Sequence, residues 1–222
     1  MRNVHMVDKV GVPTGNKVLV KIDGKGFDIK KTDGGILIVN AADNDAEASS
    51  HGYSLSEFMV RTGEVVAVPG VLTSGSYDWD TENELIVGDI AYWPIITFFD
   101  MQVVMDSDGF TYLLVDYHEI HLRERNGEIQ PINGFYLFSG IIETEKALEY
   151  SVEKQSMWYS LKYKGNNVNY HEKDYNYDDG IWQVGDECFL SVPPFKLEGE
   201  LSKRFEKQYF LAQKRHILMS RK

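Results

Sequence analysis

The chain has 222 residues, a formal net charge of −11 and a sequence pI near 5.0. Its length suits two domains of about 100 residues, each large enough to bury a core. The acidic balance opposes contact with a phosphate backbone and argues against nucleic-acid binding. The sequence contains no run of 18 apolar residues and no export leader, and its single cysteine is Cys188. We therefore expect a cytoplasmic protein that does not bind membranes.

Half-buried β-strands are predicted along most of the chain, because apolar and polar residues alternate and β-branched and aromatic types are frequent. The clearest strands are 17–22, 63–68, 111–116 and 208–212. Turn sequences separate them at short intervals. The one candidate helix, 143–155, lacks a clear apolar stripe, so helix and strand stay equally open there. The pattern predicts an all-β protein built from barrels or sandwiches.

The sequence repeats itself. Val87-Gly88-Asp89 recurs 97 residues later as Val184-Gly185-Asp186, and Phe98, Tyr112, Leu114 and Ile120 recur at the same offset as Phe195, Tyr209, Leu211 and Ile217. An earlier pair of segments, 16–20 and 133–137, aligns with an offset of 117. On this alignment the first copy is 20 residues longer between its opening strand and its Val-Gly-Asp turn. The repeat predicts tandem domains, 1–127 and 128–222, separated by a polar turn.

The extra length of the first copy lies in a glycine-rich, polar segment, about residues 23–57. The tract 40–50 consists almost entirely of Ala, Asp, Asn, Glu and Ser, which bury too little apolar surface to order a segment. Within the segment lies a short apolar run: Gly34, Gly35, Ile36, Leu37 and Ile38. Such residues either fold back on their own domain or bind a partner, and the residues alone leave both readings open.

Together these landmarks resemble the GroES family of ring-forming co-chaperonins. The matching features, in chain order, are an opening strand at 18–20, the tip 34–38, a Gly-Glu-Val strand at 63–68, a roof-hairpin segment at 71–85, the turn 87–89 and a closing strand at 119–121. The match covers nearly all of residues 16–122. The second copy keeps the opening strand, the Val-Gly-Asp turn and the closing strand, but it has a charged segment, 143–150, where the first copy has its tip.

The resemblance implies two tandem GroES-like β-barrels of bacterial or bacteriophage type. Residues 23–57 would be a mobile loop, disordered when free, and its tip, residues 34–38, would dock into an apolar groove on a GroEL-type chaperonin, which binds the ATP. It also implies a homo-oligomer in the cytoplasm of a bacterial cell or a phage-infected host. The second barrel would be a diverged copy without a recognisable mobile loop.

Other polar clusters are interpreted as structural. Strand alternation places His118 and His121 on opposite faces, so the segment 118–121 is not predicted to bind a metal. The basic tail 214–222 is predicted to be a solvated strand face, and the tyrosine-rich and acidic segment 170–179 an exposed hairpin. No nucleophile and base, phosphate-binding loop or zinc pattern is present, so we predict no enzyme, cofactor or metal. The alternative function is a non-catalytic structural or assembly protein, for example of a phage particle, built from GroES-like barrels.

Overall fold

β-Strands make up the regular structure of this protein. The computed structural model describes residues 4–6, 11–22, 27–31, 37–41, 60–73, 77–94, 102–105, 111–147, 150–166, 168–171, 181–192, 194–197 and 208–222. Within these ranges the helices are two short 3-10 turns, Tyr117–Glu119 and Lys214–His216, and no helix has the length and apolarity to cross a membrane. The predicted all-β class is therefore confirmed.

In chain order the strands are β1 (Val4–Met6), β2 (Lys17–Ile22), β3 (Phe27–Lys31), β4 (Leu37–Ala41), β5 (Val60–Ala67), β6 (Trp79–Asp80), β7 (Ile90–Pro94), β8 (Gln102–Met105), β9 (Thr111–Asp116), β10 (Leu122–Arg125), β11 (Glu128–Pro131), β12 (Phe135–Ala147), β13 (Tyr150–Lys164), β14 (Asn169–Tyr170), β15 (Glu187–Leu190), β16 (Phe195–Lys196), β17 (Tyr209–Gln213) and β18 (Ile217–Arg221).

The chain divides into two compact units. The first unit contains Met1–Gly75 and Glu82–Ile129, and the second contains Ser76–Thr81 and Gln130–Lys222. The predicted division after residue 127 lies close to the junction between Ile129 and Gln130. Six residues of the first copy, Ser76–Thr81, nevertheless belong to the second unit, which sequence comparison does not indicate.

The two units have the same strand order. The main sheet of the first unit runs β1-β8-β9-β2-β5-β7-β10-β11, and that of the second runs β16-β17-β12-β13-β15-β18. The middle six strands of the first sheet correspond one to one with the six strands of the second. Neighbouring strands with a described register pair antiparallel, apart from β1 and β8, which pair parallel. These pairings leave both sheets open, so closure into the predicted barrels is not observed.

The strand register corrects the sequence alignment of the repeat. Lys17 pairs with Asp116, and Phe135 pairs with Gln213, which lies 97 residues after Asp116. The opening strands therefore align with an offset of 118, not 117. Strands β5 and β13 align with an offset of 96, because Val65 and Leu161 donate equivalent hydrogen bonds to the two aspartates of the repeated turns. The first copy is therefore 22 residues longer between its opening strand and β5, and 21 residues longer between its opening strand and the Val-Gly-Asp turn.

The Val-Gly-Asp turn has the same geometry in both units. The backbone N–H of Ile86 donates to Asp89 Oδ2 at 2.9 Å, and that of Gln183 donates to Asp186 Oδ2 at 2.9 Å. The glycine N–H groups donate to carbonyl oxygens of β5 and β13 at 2.8 Å in both cases. Gly88 and Gly185 have φ values of +93° and +104°, a region that residues with a Cβ rarely occupy. The repeated motif thus encodes one specific hydrogen-bonded turn.

The structure decides one segment that the sequence left open and corrects two short ones. The candidate helix 143–155 is a β-hairpin, in which Glu143 lies opposite Lys154 and Ala147 lies opposite Tyr150. Ladder hydrogen bonds between β12 and β13 satisfy the backbone there without a helix. The segments 117–119 and 214–216 are 3-10 turns rather than strands, because N–H groups of Tyr117 and Lys214 donate back to the turns that precede β2 and β12.

The core of the second unit is formed mainly by side chains of β12, β13 and β15. It contains Tyr136, Phe138, Leu161, Trp182, Cys188, Leu190, Ala212 and Ile217. Cys188 is fully buried and occupies the position of Ala91 in the first unit, which is also fully buried. This confirms the interpretation of the cysteine as a small core residue.

Asp89 is held by a side-chain ion pair that is specific to the first unit. Arg125 donates to its two carboxylate oxygens from Nε at 2.7 Å and from Nη2 at 2.8 Å, and Asp89 is 1% exposed. Burial alone raises the pKa of Asp89, but hydrogen bonds from Arg125 and Ile86 outweigh it and hold the pKa below its ordinary value. In the second unit the position of Arg125 is taken by the exposed Lys222.

We expect Asp89→Asn to destabilise the first unit by about 2 kcal/mol at pH 7, because it leaves the Arg125 charge without its carboxylate. Because the pKa of Asp89 is lowered on folding, its contribution is complete above the ordinary carboxyl pKa of 3.8 and disappears as pH falls through the lowered value. Urea unfolding at pH 7 and in steps below pH 4 measures this. Asp186→Asn is the matched control and should cost less; equal losses would contradict the role assigned to Arg125.

Candidate functional site

The predicted partner-binding residues belong to the connection between β2 and β5. Within it, β3 and β4 pair antiparallel and form a separate two-stranded sheet. Leu37 and Ile38 are the first two residues of β4, and the register sets them opposite Lys31 and Lys30. Gly34, Gly35 and Ile36 lie outside the described residues. The structure thus places part of the predicted site on the second strand of a hairpin.

The base of this connection is held tightly in the main sheet. Ile22, the last residue of β2, is 5% exposed, and β2 pairs with β5 on one side and β9 on the other. A Cβ at Gly63 of β5 would lie 2.8 Å from the carbonyl oxygen of Lys21. Glycine at this position allows the two strands to approach closely. The hairpin β3–β4 is therefore attached to the strand pair β2–β5, and Gly63 of β5 sets the close spacing of that pair.

The second unit has a hairpin in the corresponding connection. Strands β12 and β13 are the counterparts of β2 and β5, and after a register shift beyond Gly140 they stay paired from Ile142 opposite Gln155 to Ala147 opposite Tyr150. The described partners of these strands in the main sheet, β17 and β15, pair only with Phe135–Ser139 of β12 and with 158–160 of β13. Sequence analysis identified this charged segment as the position of the missing tip but not as a hairpin.

A second surface of interest crosses the second unit. Trp158, Phe189 and Met219 are directly paired neighbours on β13, β15 and β18, so their side chains form a row on one face of the sheet. Met219 is 53% exposed. The Trp158 and Phe189 rings lie 5.6 Å apart, and the Arg221 guanidinium lies 4.5 Å from the Trp158 ring centroid. An aromatic and thioether row of this kind suits contact with another protein surface.

The first unit buries two of the three counterparts of this row, and the third, Thr62, is exposed. Thr62, Tyr92 and Leu122 are paired in the same way on β5, β7 and β10. Tyr92 is 5% exposed and Leu122 is fully buried, in contrast to the exposed Met219. Moreover, β10 has β11 beside it, whereas β18 is the outermost described strand of its sheet. The main sheets of the two copies therefore have the same strand order but differ in the exposure of this face.

Burial shifts the pKa of two described side chains, His121 and Cys188. Burial lowers the pKa of His121 to about 3, so this imidazole is uncharged at neutral pH. Burial, with a smaller contribution from Asp186, raises the pKa of Cys188 to about 12, which keeps the thiol protonated. Among the residues with described positions, no group of three or more His, Cys, Asp or Glu side chains is arranged to hold a metal ion.

Comparison with models of known protein families gives no match for this sequence, and comparison with curated proteins finds no significant relative. Two structural elements remain as candidates for binding a partner: the hairpin β3–β4 in the first unit, and the row in the second unit that consists of the half-buried Trp158 and Phe189 and the exposed Met219.

Proposed function

We propose that this protein is a co-chaperonin that caps a GroEL-type chaperonin and assists ATP-dependent protein folding in the cytoplasm. The observation that carries the proposal is the hairpin β3–β4, which bears Leu37 and Ile38 and pairs with no other described strand. It lies in the connection that bears the apolar tip in the GroES-like pattern. The duplicated strand order and the repeated Val-Gly-Asp turn support two GroES-like units as its scaffold.

Docking of the tip would proceed without covalent chemistry. Ile36, Leu37 and Ile38 would enter an apolar groove, each contributing about 1.5–3 kcal/mol before the cost of ordering is subtracted. A single loop of this size binds weakly. Several loops on one oligomer bind several chaperonin subunits together, and the complex can still dissociate when the chaperonin changes state.

The proposed mechanism requires a homo-oligomer, and the second unit offers a surface for it. We propose that the row Trp158, Phe189 and Met219, together with the edge of β18, contacts a second copy of the chain. The support is the comparison within the molecule, since Tyr92 and Leu122 at the equivalent positions of the first unit are buried. Apolar rows beside an outermost strand commonly mark protein contacts.

We expect Met219→Asp to convert the oligomer into a species near the chain mass of 25.4 kDa, because a carboxylate cannot be buried in an apolar contact without a large penalty. Light scattering coupled to size exclusion at micromolar concentration measures this. Val71→Asp is the matched control, since Val71 is 77% exposed and lies in the first unit. A wild-type monomer, or an oligomer unaffected by Met219→Asp, would reject this surface.

The co-chaperonin proposal is tested by capture on an immobilised GroEL-type chaperonin with ATP, with ADP and without nucleotide. We expect retention that depends on nucleotide and inhibition of the chaperonin's ATPase rate on binding. Retention that is absent, or identical in all three conditions, would reject the proposal. The alternative, a structural or assembly protein such as a phage-particle component, would then be favoured and would predict co-purification with assembled particles instead.

A further inference from the structure

The segment Ser76–Thr81 comes from the first copy of the repeat but packs within the second unit. Its strand β6 pairs antiparallel with β14, so that Trp79 lies opposite Tyr170 and Asp80 lies opposite Asn169. Trp79, Val168 and Tyr170 form one buried cluster, with exposures of 8%, 4% and 4%. Residues that are about 90 positions apart in the sequence therefore share a small core.

Arg215 stabilises this cluster through its positive charge and through its planar guanidinium group. Its guanidinium lies 5.6 Å from the Trp79 ring centroid and 5.2 Å from that of Tyr170, and it forms an ion pair with Asp78. Its side chain is only 19% exposed, and the neighbouring Lys214 is 3% exposed. The predicted solvated face is thus wrong at Lys214 and Arg215, because aromatic rings cover these cations, whereas residues 218–222 of the same tail are exposed.

Both flanks of the segment are anchored in the first unit. On one side, Asn16 and the backbone of Thr73 exchange two hydrogen bonds of 2.7 Å. On the other, the Tyr117 hydroxyl donates to the Glu82 carbonyl oxygen at 2.9 Å and accepts from the Glu84 N–H at 2.8 Å. Leu85, next along the chain, is 2% exposed within the first unit. The chain therefore leaves the first unit for six residues and returns.

We propose that Ser76–Thr81 is a strap by which the first copy of the repeat controls the stability of the second unit. The second unit is complete only when Trp79 and Asp78 occupy their places beside Tyr170 and Arg215. Any event in the first unit that withdraws the strap then loosens the second unit, which gives the protein a mechanical link between its copies. This link is independent of what the hairpin β3–β4 binds.

Cys188 supplies a reporter for the second unit alone. It is the only cysteine of the chain, it is fully buried in the core of that unit, and its pKa is raised by burial. A thiol reagent therefore labels it only when the second unit opens. The rate of labelling of the full-length native protein measures that opening directly.

We expect Trp79→Ala to accelerate Cys188 labelling by at least about tenfold, because it removes a large buried side chain from the strap. Leu113→Ala is the matched control. Leu113 is also buried in the first unit, but it lies on β9 and not on a flank of the strap, so labelling should stay within about twofold of wild type. Labelling in denaturant, which should be equal for all variants, calibrates the intrinsic reactivity of the thiol.

The conservative variant Arg215→Lys keeps the charge and loses the planar contact with both rings, so a smaller acceleration in the same direction is expected. If Trp79→Ala fails to fold, the labelling rate of Arg215→Lys still tests whether the strap stabilises the second unit. Unchanged labelling in Arg215→Lys and Trp79→Ala would overturn the proposal. Equal acceleration by Leu113→Ala and Trp79→Ala would also overturn it, since the strap would then have no selective effect on the second unit.

Discussion

Leu37→Asp is expected to reduce binding to a GroEL-type chaperonin by at least about 100-fold while both units stay folded. A carboxylate at this position cannot enter an apolar groove without losing its hydration, at a cost of several kcal/mol. Because binding through several loops multiplies the loss on each loop, the effect on the whole oligomer exceeds that on a single site. Nucleotide-dependent capture and ATPase inhibition measure the loss, and circular dichroism checks the fold.

Val71→Asp is the control for this substitution. It adds the same charge at an exposed aliphatic residue of the first unit, outside the hairpin β3–β4, and should leave capture unchanged. Full binding by Leu37→Asp would show that the tip is not the contact. Equal loss by both variants would indicate that net charge, rather than the tip, determines binding.

Gly134→Ala is expected to destabilise the second unit by about 3 kcal/mol, the largest loss of stability we predict for a single added methyl group. A Cβ at this position would lie 2.6 Å from Cγ2 of Val168 and 3.2 Å from the Tyr170 hydroxyl. Gly134 also has a φ of +70°, where residues with a Cβ are strained. Both effects act at the strap cluster. Urea unfolding followed by Cys188 labelling measures the loss.

Two further variants separate the steric effect from the backbone strain. Gly15, in the corresponding turn of the first unit, has a φ of +65° and open space where a Cβ would lie, so Gly15→Ala should cost only about 1 kcal/mol. The double variant Gly134→Ala with Val168→Ala removes the clash and should cost less than the two single changes added together. A simple sum would show that Val168 is not the obstacle.

Much of the architecture could be predicted from sequence because its causes are local. Alternation in 17–22 and 111–116 predicted strands that the structure places side by side, and the recurrence of Val-Gly-Asp predicted two turns that prove to have matching hydrogen bonds. The burial of Cys188 followed from its alignment with Ala91. The position of Leu37 and Ile38 in the connection between the opening strand and β5 follows from the order of the landmarks along the chain.

Register and long-range pairing could not be predicted in the same way. The strand register shifts the alignment of the two opening strands by one residue, because hydrogen bonds between strands set the register. Asn16 and Asn133 are the same residue type but do not occupy equivalent positions. The segment 143–155 has a composition that either helix or strand tolerates, and pairing between β12 and β13 decides it. The burial of Arg215 depends on Trp79 and Tyr170, which are distant in sequence.

The sequence by itself determined that this protein is all-β, that it is duplicated, and that its first copy carries a polar insertion with an apolar tip. These properties depend on neighbouring residues and on residue types, which are written directly in the chain. Only the tertiary structure decided which strands pair, that each copy has a hairpin in the same connection, and that Ser76–Thr81 belongs to the second unit. Those properties arise from contacts between segments that are distant in the sequence. The free energy of such contacts cannot be read from a local sequence pattern.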